Sequence, residues 1–193
     1  MAASTPARSS ASPPASITAL SPLDGRYAAK VAALRPLLSE YGLMHCRVRV
    51  EVAWFLALAD ARFAGLEPPA PAVRTHLEAL VRDFSPADAE AIKRIERTTN
   101  HDVKAVEYWL RERFEAEPAL RDAGAFIHFA CTSEDINNAS HALMVDGARR
   151  AVLLPALDAV IERLAALARG ADRDAQVVEH GRLADELVEA LRA

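Results

Sequence analysis

The stretch "SEYGLMHCRVRVEVAWFLALADARF", residues 39–63, decides the fold class. Its centre, "RVRVEV" at 47–52, alternates charged and apolar residues with the period of a half-buried strand. Its surroundings argue otherwise. Leu43 and Met44 precede the alternation, Trp54 to Leu56 follow it, and no turn residue closes it, so the run outlasts an ordinary strand of about five or six residues. Leu38, Tyr41, Val48, Val52, Phe55 and Ala59 recur at steps that keep to one face of a helix. The spacing predicts one long helix.

The flanking segments carry the same signal. Downstream, the Pro-rich break "LEPPAPA" leads into a helix with Val73, Leu77, Leu80, Val81 and Phe84 on one face. Ser85 is then an N-cap, Pro86 occupies the first helical position, and Asp88 stands where a capping-box acid belongs. Ile92 and Ile95 continue the apolar face until Thr98, Thr99 and Asn100 interrupt it. A further run through Val103, Val106, Leu110 and Phe114 follows, with Asn100 read as its N-cap. "AEPALRDAG" is a connection, and Thr132 or Ser133 is expected to cap a helix running through Leu143. In "ARRAVLLPALDAVIERLAALAR", strongly amphipathic, Pro155 is either a kink or the first turn of a new helix.

Bulk composition agrees with an all-α chain. The 193 residues are 51% hydrophobic, rich in Ala, Leu, Arg and Glu, and contain 7 glycines. "MAASTPARSSASPPAS" has no face to bury and is expected to be a disordered tail over 1–17; a transit peptide would want more arginines than Arg8. A net charge of −4 provides no general attraction to nucleic acid or an anionic membrane, so neither is expected as a partner. Cys46 and Cys131 lie far apart without metal-ligand spacing and read as free thiols in a reducing compartment. With no membrane-length apolar run and no secretory signal core, a cytoplasmic location is expected.

Three polar segments are candidates for chemistry: Arg26 and Tyr27 after the Asp24-Gly25 turn, "TTNHD" at 98–102, and "TSEDINN" at 132–138. The last two precede helices, whose first N–H groups and dipole favour an anion. An arginine adds a fork that matches a phosphate or carboxylate. Taken singly, each segment also reads as a turn, a cap or a structural histidine such as His101 or His141. One Ser or Asn suffices for a cap, however, and Thr132, Ser133, Asn137 and Asn138 exceed that need. The surplus implies a ligand or a buried polar network.

"SPLDGRY", "SEYGL", "ERTTNHDVKAVEYWL" and "FIHFACTSEDINNASHALM" together resemble the N-terminal part of bacterial adenylosuccinate lyases, of the fumarase/aspartase superfamily, over residues 18–168. The resemblance implies an N-terminal helical domain at 18–125, the start of a central helix bundle at 126–170, a homotetramer, and sites built from three subunits. It implies β-elimination of fumarate from adenylosuccinate, giving AMP, and from the succinylated carboxamide ribotide of purine synthesis, with no metal or organic cofactor. Residue by residue, it makes Arg26 and Tyr27 contacts of the nucleotide phosphate region. It makes Asn100, His101 and Asp102 substrate contacts, with His101 an auxiliary in proton management, and Thr132 and Ser133 ligands of a substrate carboxylate.

The resemblance stops before the family's main acid and base. These belong to a Thr-His-Gly-Gln segment and a serine loop, and neither is found in this sequence. At 171–193 the words no longer match; His180-Gly181, flanked by Glu179 and Arg182, reads as coincidence, and Leu183, Leu187, Val188 and Leu191 suit a short amphipathic helix. The expectation is a truncated chain, from a frameshift or a mis-called end, inactive alone. Val152, Leu153, Leu157, Ile161 and Leu164 would then lack their bundle partners, predicting poor solubility or association. An alternative is a non-catalytic helical module that binds a nucleotide or a full-length lyase subunit. A superfamily member acting on argininosuccinate or fumarate fits "DGRY" and "ERTTNHDVKAVEY" less well.

Overall fold

Ser39 starts the long helix. In the computed structural model, which describes residues 19–171, Ser39 is extended and its hydroxyl accepts from the Gly42 amide. The anticipated tail at 1–17, His180, and the helix expected around Leu183 to Leu191 lie outside the described residues. The chain divides into two units, one ending at Asp146 and the other beginning at Gly147.

In the first unit, turns over 20–31 lead through a short 3₁₀ segment, Ala32–Leu34, into α1 (Arg35–Leu38). Helix α2 (Glu40–Asp60) follows at once. A Cβ at position 42 would lie 2.5 Å from the Leu37 carbonyl oxygen, so only glycine lets α2 begin this close to α1. The extended Ser39 takes Leu38 out of phase with α2. Leu38 is 44% exposed, a departure from its expected place on the buried face.

Proline then marks two starts in succession. Helix α3 (Pro71–Arg82) and helix α4 (Pro86–Thr99) each place proline where a missing N–H is harmless. Ser85 and Asp88 form the reciprocal capping box that their spacing predicts. Helix α5 (Asp102–Ala116), a 3₁₀ segment (Arg121–Phe126) and helix α6 (Ser133–Ala148) follow. Among the described residues there is no strand.

The core lies where these faces meet. Val48, Val52, Phe55 and Ala59 of α2 are buried with Leu77, Phe84, Ile92, Val106, Trp109, Leu110 and Phe114. Phe55 meets Phe114 edge-on at 4.8 Å between centroids, and Phe84 meets Trp109 at 5.7 Å. Burying each such side chain contributes about 1.5–3 kcal/mol. Two polar tips at the core's edge find partners: the Tyr41 hydroxyl donates to the Phe84 carbonyl at 2.8 Å, and His45 Nε2 lies 2.8 Å from the Val81 carbonyl; the buried Trp109 Nε1 has none.

The "RVRVEV" alternation has a helical origin. Val48 and Val52 form one buried stripe, while Arg47 and Glu51, one position earlier, form a second beside it; Arg47 is 5% and Glu51 1% exposed. Two adjacent stripes of opposite chemistry, each at i, i+4 spacing, mimic the two-residue period of a strand.

From Gly147 to residue 171 the chain stays helical. A π turn spans Arg149–Leu153, with the Leu154 amide bonding the Arg149 carbonyl five residues back, and residues 154–171 continue as helix. Pro155 has no amide to donate and its ring crowds the preceding turn, which the wider π turn accommodates. The helix is continuous through Pro155, which therefore does not open a new one; the widened turn stands directly before it. Leu153, Leu157, Ile161 and Leu164 are each more than half exposed. Among the described residues no helix is long and apolar enough to cross a membrane.

Candidate functional site

The α4–α5 junction places "TTNHD". Asn100 adopts the left-handed conformation, φ 51°, and is the C-cap of α4, its amide bonding the Glu96 carbonyl. Asparagine tolerates this conformation better than other residues with a Cβ, so it ends α4. The expectation that Asn100 caps α5 is therefore corrected: His101 does so, its Nδ1 accepting from the Lys104 amide at 3.2 Å. In the neutral ring this fixes the proton on Nε2, and His101, exposed, presents an N–H donor outward.

Asp102 opens α5, where a carboxylate suits the helix dipole. Its Oδ2 accepts from Arg47 Nη2 at 2.6 Å. Partial burial raises its pKa, but the Val103 amide and then the Arg47 guanidinium outweigh that and hold the carboxyl below its ordinary range. Arg47 also donates from Nε at 2.9 Å and from Nη2 at 2.7 Å to Oδ1 of Asn137, in the second turn of α6. One buried guanidinium thus joins α2, the start of α5 and the start of α6.

The strap before α6 is held by the same helix. His128 and Ala130 are left-handed at φ 59° and 57°, a conformation that costs side chains with a Cβ about 1–2 kcal/mol each. Glu51 Oε2 accepts from the His128 amide at 3.1 Å, and Oε1 lies 2.6 Å from His128 Nδ1. Trp54 Nε1 donates to the Phe129 carbonyl at 2.8 Å. Burial pushes the Glu51 carboxyl above its ordinary pKa, and its bonds to His128 oppose that rise. Burial, with Glu51 and Asp135 nearby, also raises the pKa of the Cys131 thiol, which like Cys46 is free.

Thr132 caps α6. Its amide and hydroxyl both donate to Asp135 Oδ2, at 2.7 and 2.8 Å, while its oxygen accepts from the Asp135 amide at 3.4 Å. These bonds depress the Asp135 pKa. Ser133, the next residue, is half-buried in the first turn, and among the described residues no bond engages its hydroxyl. The Thr132 proton is engaged locally, whereas the Ser133 hydroxyl has no partner among the described residues.

Arg26 and Tyr27 sit exposed in the turns over 20–31, the guanidinium 5.4 Å from the Tyr27 ring centroid. Among the described residues no hydrogen bond or ion pair links them to the helix-start cluster. The fold thus brings "TTNHD" and "TSEDINN" onto one guanidinium and leaves "DGRY" with its own neighbours. Arg47, Glu51 and Trp54 escape the sequence reading. Their signal is a charged residue at i and i+4 directly beside an apolar stripe, with an indole three further on.

A family model described as Lyase matches residues 25–183. Over 153 residues the chain is 53% identical to the adenylosuccinate lyase of Haemophilus influenzae, covering 79% of this chain and 34% of that protein. It is 58% identical over 142 residues to the adenylosuccinate lyase of Escherichia coli K12, covering 72% and 31%. With that of Vibrio cholerae it shares 51% identity over 153 residues, covering 79% and 34%. The chain spans about a third of the length of the curated relatives it matches.

Proposed function

The chain belongs to the Lyase family, and we propose that it carries the substrate-gripping part of an adenylosuccinate lyase site. The observation that carries this reading is the pairing of Asp102 and Asn137 on Arg47, which ties the two polar helix starts into one cluster.

Eliminating fumarate requires a base to take the proton beside a carboxylate, stabilisation of the charge that develops there, and an acid for the departing nitrogen. In the proposed site, Ser133 and the first amides of α6 grip a substrate carboxylate, with Thr132 ordering that turn through Asp135. His101 directs its Nε2–H toward developing negative charge as an auxiliary donor, since Nδ1 is engaged by Lys104. Asn100 and Asp102 offer an amide and a carboxylate to the substrate's polar edge. Arg26 and Tyr27 take the phosphate by fork and hydroxyl. The substrates are adenylosuccinate and the succinylated carboxamide ribotide, handled in the cytoplasm. The segment at 126–170 starts the central bundle of a homotetramer.

On the family resemblance, the main acid and base come from a Thr-His-Gly-Gln segment and a serine loop, neither of which is found in this sequence. Binding without turnover is therefore the expected behaviour of the chain alone. Calorimetry with adenylosuccinate tests it: the 193-residue chain binds, Arg26→Ala and Ser133→Ala each weaken binding about tenfold or more, and no fumarate absorbance develops. No binding by the unaltered chain overturns the reading, and steady fumarate release overturns the inactivity.

A second reading is favoured by the exposed Leu153, Leu157, Ile161 and Leu164. A helix with such a face suits a module that docks on a full-length adenylosuccinate lyase subunit. Capture of that subunit by the chain, abolished by Leu157→Lys, supports docking; no capture removes it.

A further inference from the structure

Arg47, Glu51 and Trp54 stand at i, i+4 and i+7 on α2, and all three send their polar atoms into the segments that bear the candidate site. Arg47 reaches Asp102 at the start of α5 and Asn137 in α6. Glu51 reaches both the amide and the ring of His128. Trp54 reaches the carbonyl of Phe129. The segment from Phe129 leads within four residues to Thr132 and Ser133.

We propose that this stripe of α2 is the positioning device of the site: Arg47 sets the start of α5 against the start of α6, while Glu51 and Trp54 hold the left-handed strap that aims Ser133. The inference rests on the nucleotide-binding reading for its purpose and on these contacts for its mechanism.

Three physical arguments support it. A charged side chain is rarely buried unless its partners compensate the lost water, and Arg47 and Glu51 are both almost wholly buried. Their partners lie on other segments, so the compensation exists only when those segments are in register. Asp102 keeps a half-exposed side chain, which makes the Arg47 contact a tie at the edge of solvent rather than part of the apolar core. Finally, the strap holds His128 and Ala130 in an unfavourable conformation, which persists only where surrounding contacts impose it. Glu51 and Trp54 supply those contacts immediately beside the strained residues. The valine stripe next to them has a different task, since it packs the core.

The three residues are positioning residues, since each acts through another group. Amide hydrogen exchange on the full 193-residue chain reads this directly. The reporters are the amides of His128, Lys104, Ala105, Asp135 and Ile136, whose bonds close the strap and the two helix starts. Arg47→Met is expected to accelerate exchange at 104–105 and 135–136 about tenfold, and Glu51→Gln or Trp54→Phe to do so at 128–132. Exchange over 106–114 and 48–59 should change less than about twofold. Adenylosuccinate binding should weaken about tenfold in Arg47→Met and recover in part in Arg47→Lys, which restores charge without the fork.

Uniform acceleration through every helix overturns the proposal, because it signifies only lost stability. Unchanged exchange at the reporters also overturns it. If the local pattern appears while the unaltered chain shows no affinity for adenylosuccinate, the positioning mechanism stands and the nucleotide reading falls. Asp102→Asn provides the second variant: it retains shape, and its acceleration confined to 104–105 supports the tie through Arg47.

Discussion

Helix α5 and the helix at 154–171 are both amphipathic, yet their apolar residues have opposite fates. Val103, Val106, Leu110 and Phe114 of α5 are each 1% exposed or less, whereas Leu157, Ile161 and Leu164 are 54–60% exposed. The periodicity is of the same kind in both. A helical pattern declares which face seeks cover, and only a neighbouring surface of matching shape provides it. In the unit ending at Asp146 those surfaces come from the chain itself. In the unit beginning at Gly147, the described residues leave the face open.

The largest expected effects test this contrast at its core. Phe114→Ala should destabilise the chain by about 3–5 kcal/mol in chemical denaturation, through lost burial and a cavity beside Phe55. Leu164→Ala should stay within about 0.5 kcal/mol. A Leu164→Ala cost comparable with that of Phe114→Ala would show that the second face is covered in solution.

Next comes association. Each leucine-sized side chain removed from water contributes about 1.5–3 kcal/mol, so two of them can shift an association constant by roughly a hundredfold or more. Sedimentation velocity on the purified chain should show concentration-dependent assemblies that Ile161→Lys combined with Leu164→Lys disperses, with the denaturation midpoint of the first unit unchanged. A monodisperse, unassociated parent chain would refute this expectation.

Smaller effects refine the picture inside the covered unit. Ser85→Ala removes the reciprocal cap of α4 and should cost about 1 kcal/mol. The smallest is a pH slope. The depressed pKa of Asp102 contributes stability that is present above the unfolded value near pH 4 and lost as pH falls through the lower folded value. Half exposure screens this to under about 1 kcal/mol. Asp102→Asn should flatten the acid limb of the stability profile over that window; an unchanged limb would detach Asp102 from Arg47. Glu51 has the opposite sign, since its raised pKa favours the fold below its unfolded value and the contribution is lost as pH rises through the folded one.

Much of the candidate site was legible because polarity interrupted an apolar period. "TTNHD" and "TSEDINN" stand out at helix starts: α5 begins at the last residue of the first, and α6 at the second residue of the other. The assignment of caps was harder. Asn100 and His101 both offer a side-chain acceptor, and the chain reversal between α4 and α5 decides between them by demanding a left-handed residue at 100. Arg47 and Glu51 were hidden for a further reason. Charge within an alternating run reads as a solvated face, and nothing local tells that the strap and α6 come to lie over it.

By itself the amino-acid order determined the helices, their proline and serine starts, and the faces that seek burial, because these depend on interactions within a few residues. Only the tertiary structure decided which faces are covered, which charges leave water, and which polar starts share a partner. Burial and ion pairing depend on groups as far apart as Arg47 and Asn137, which meet only when the helices pack.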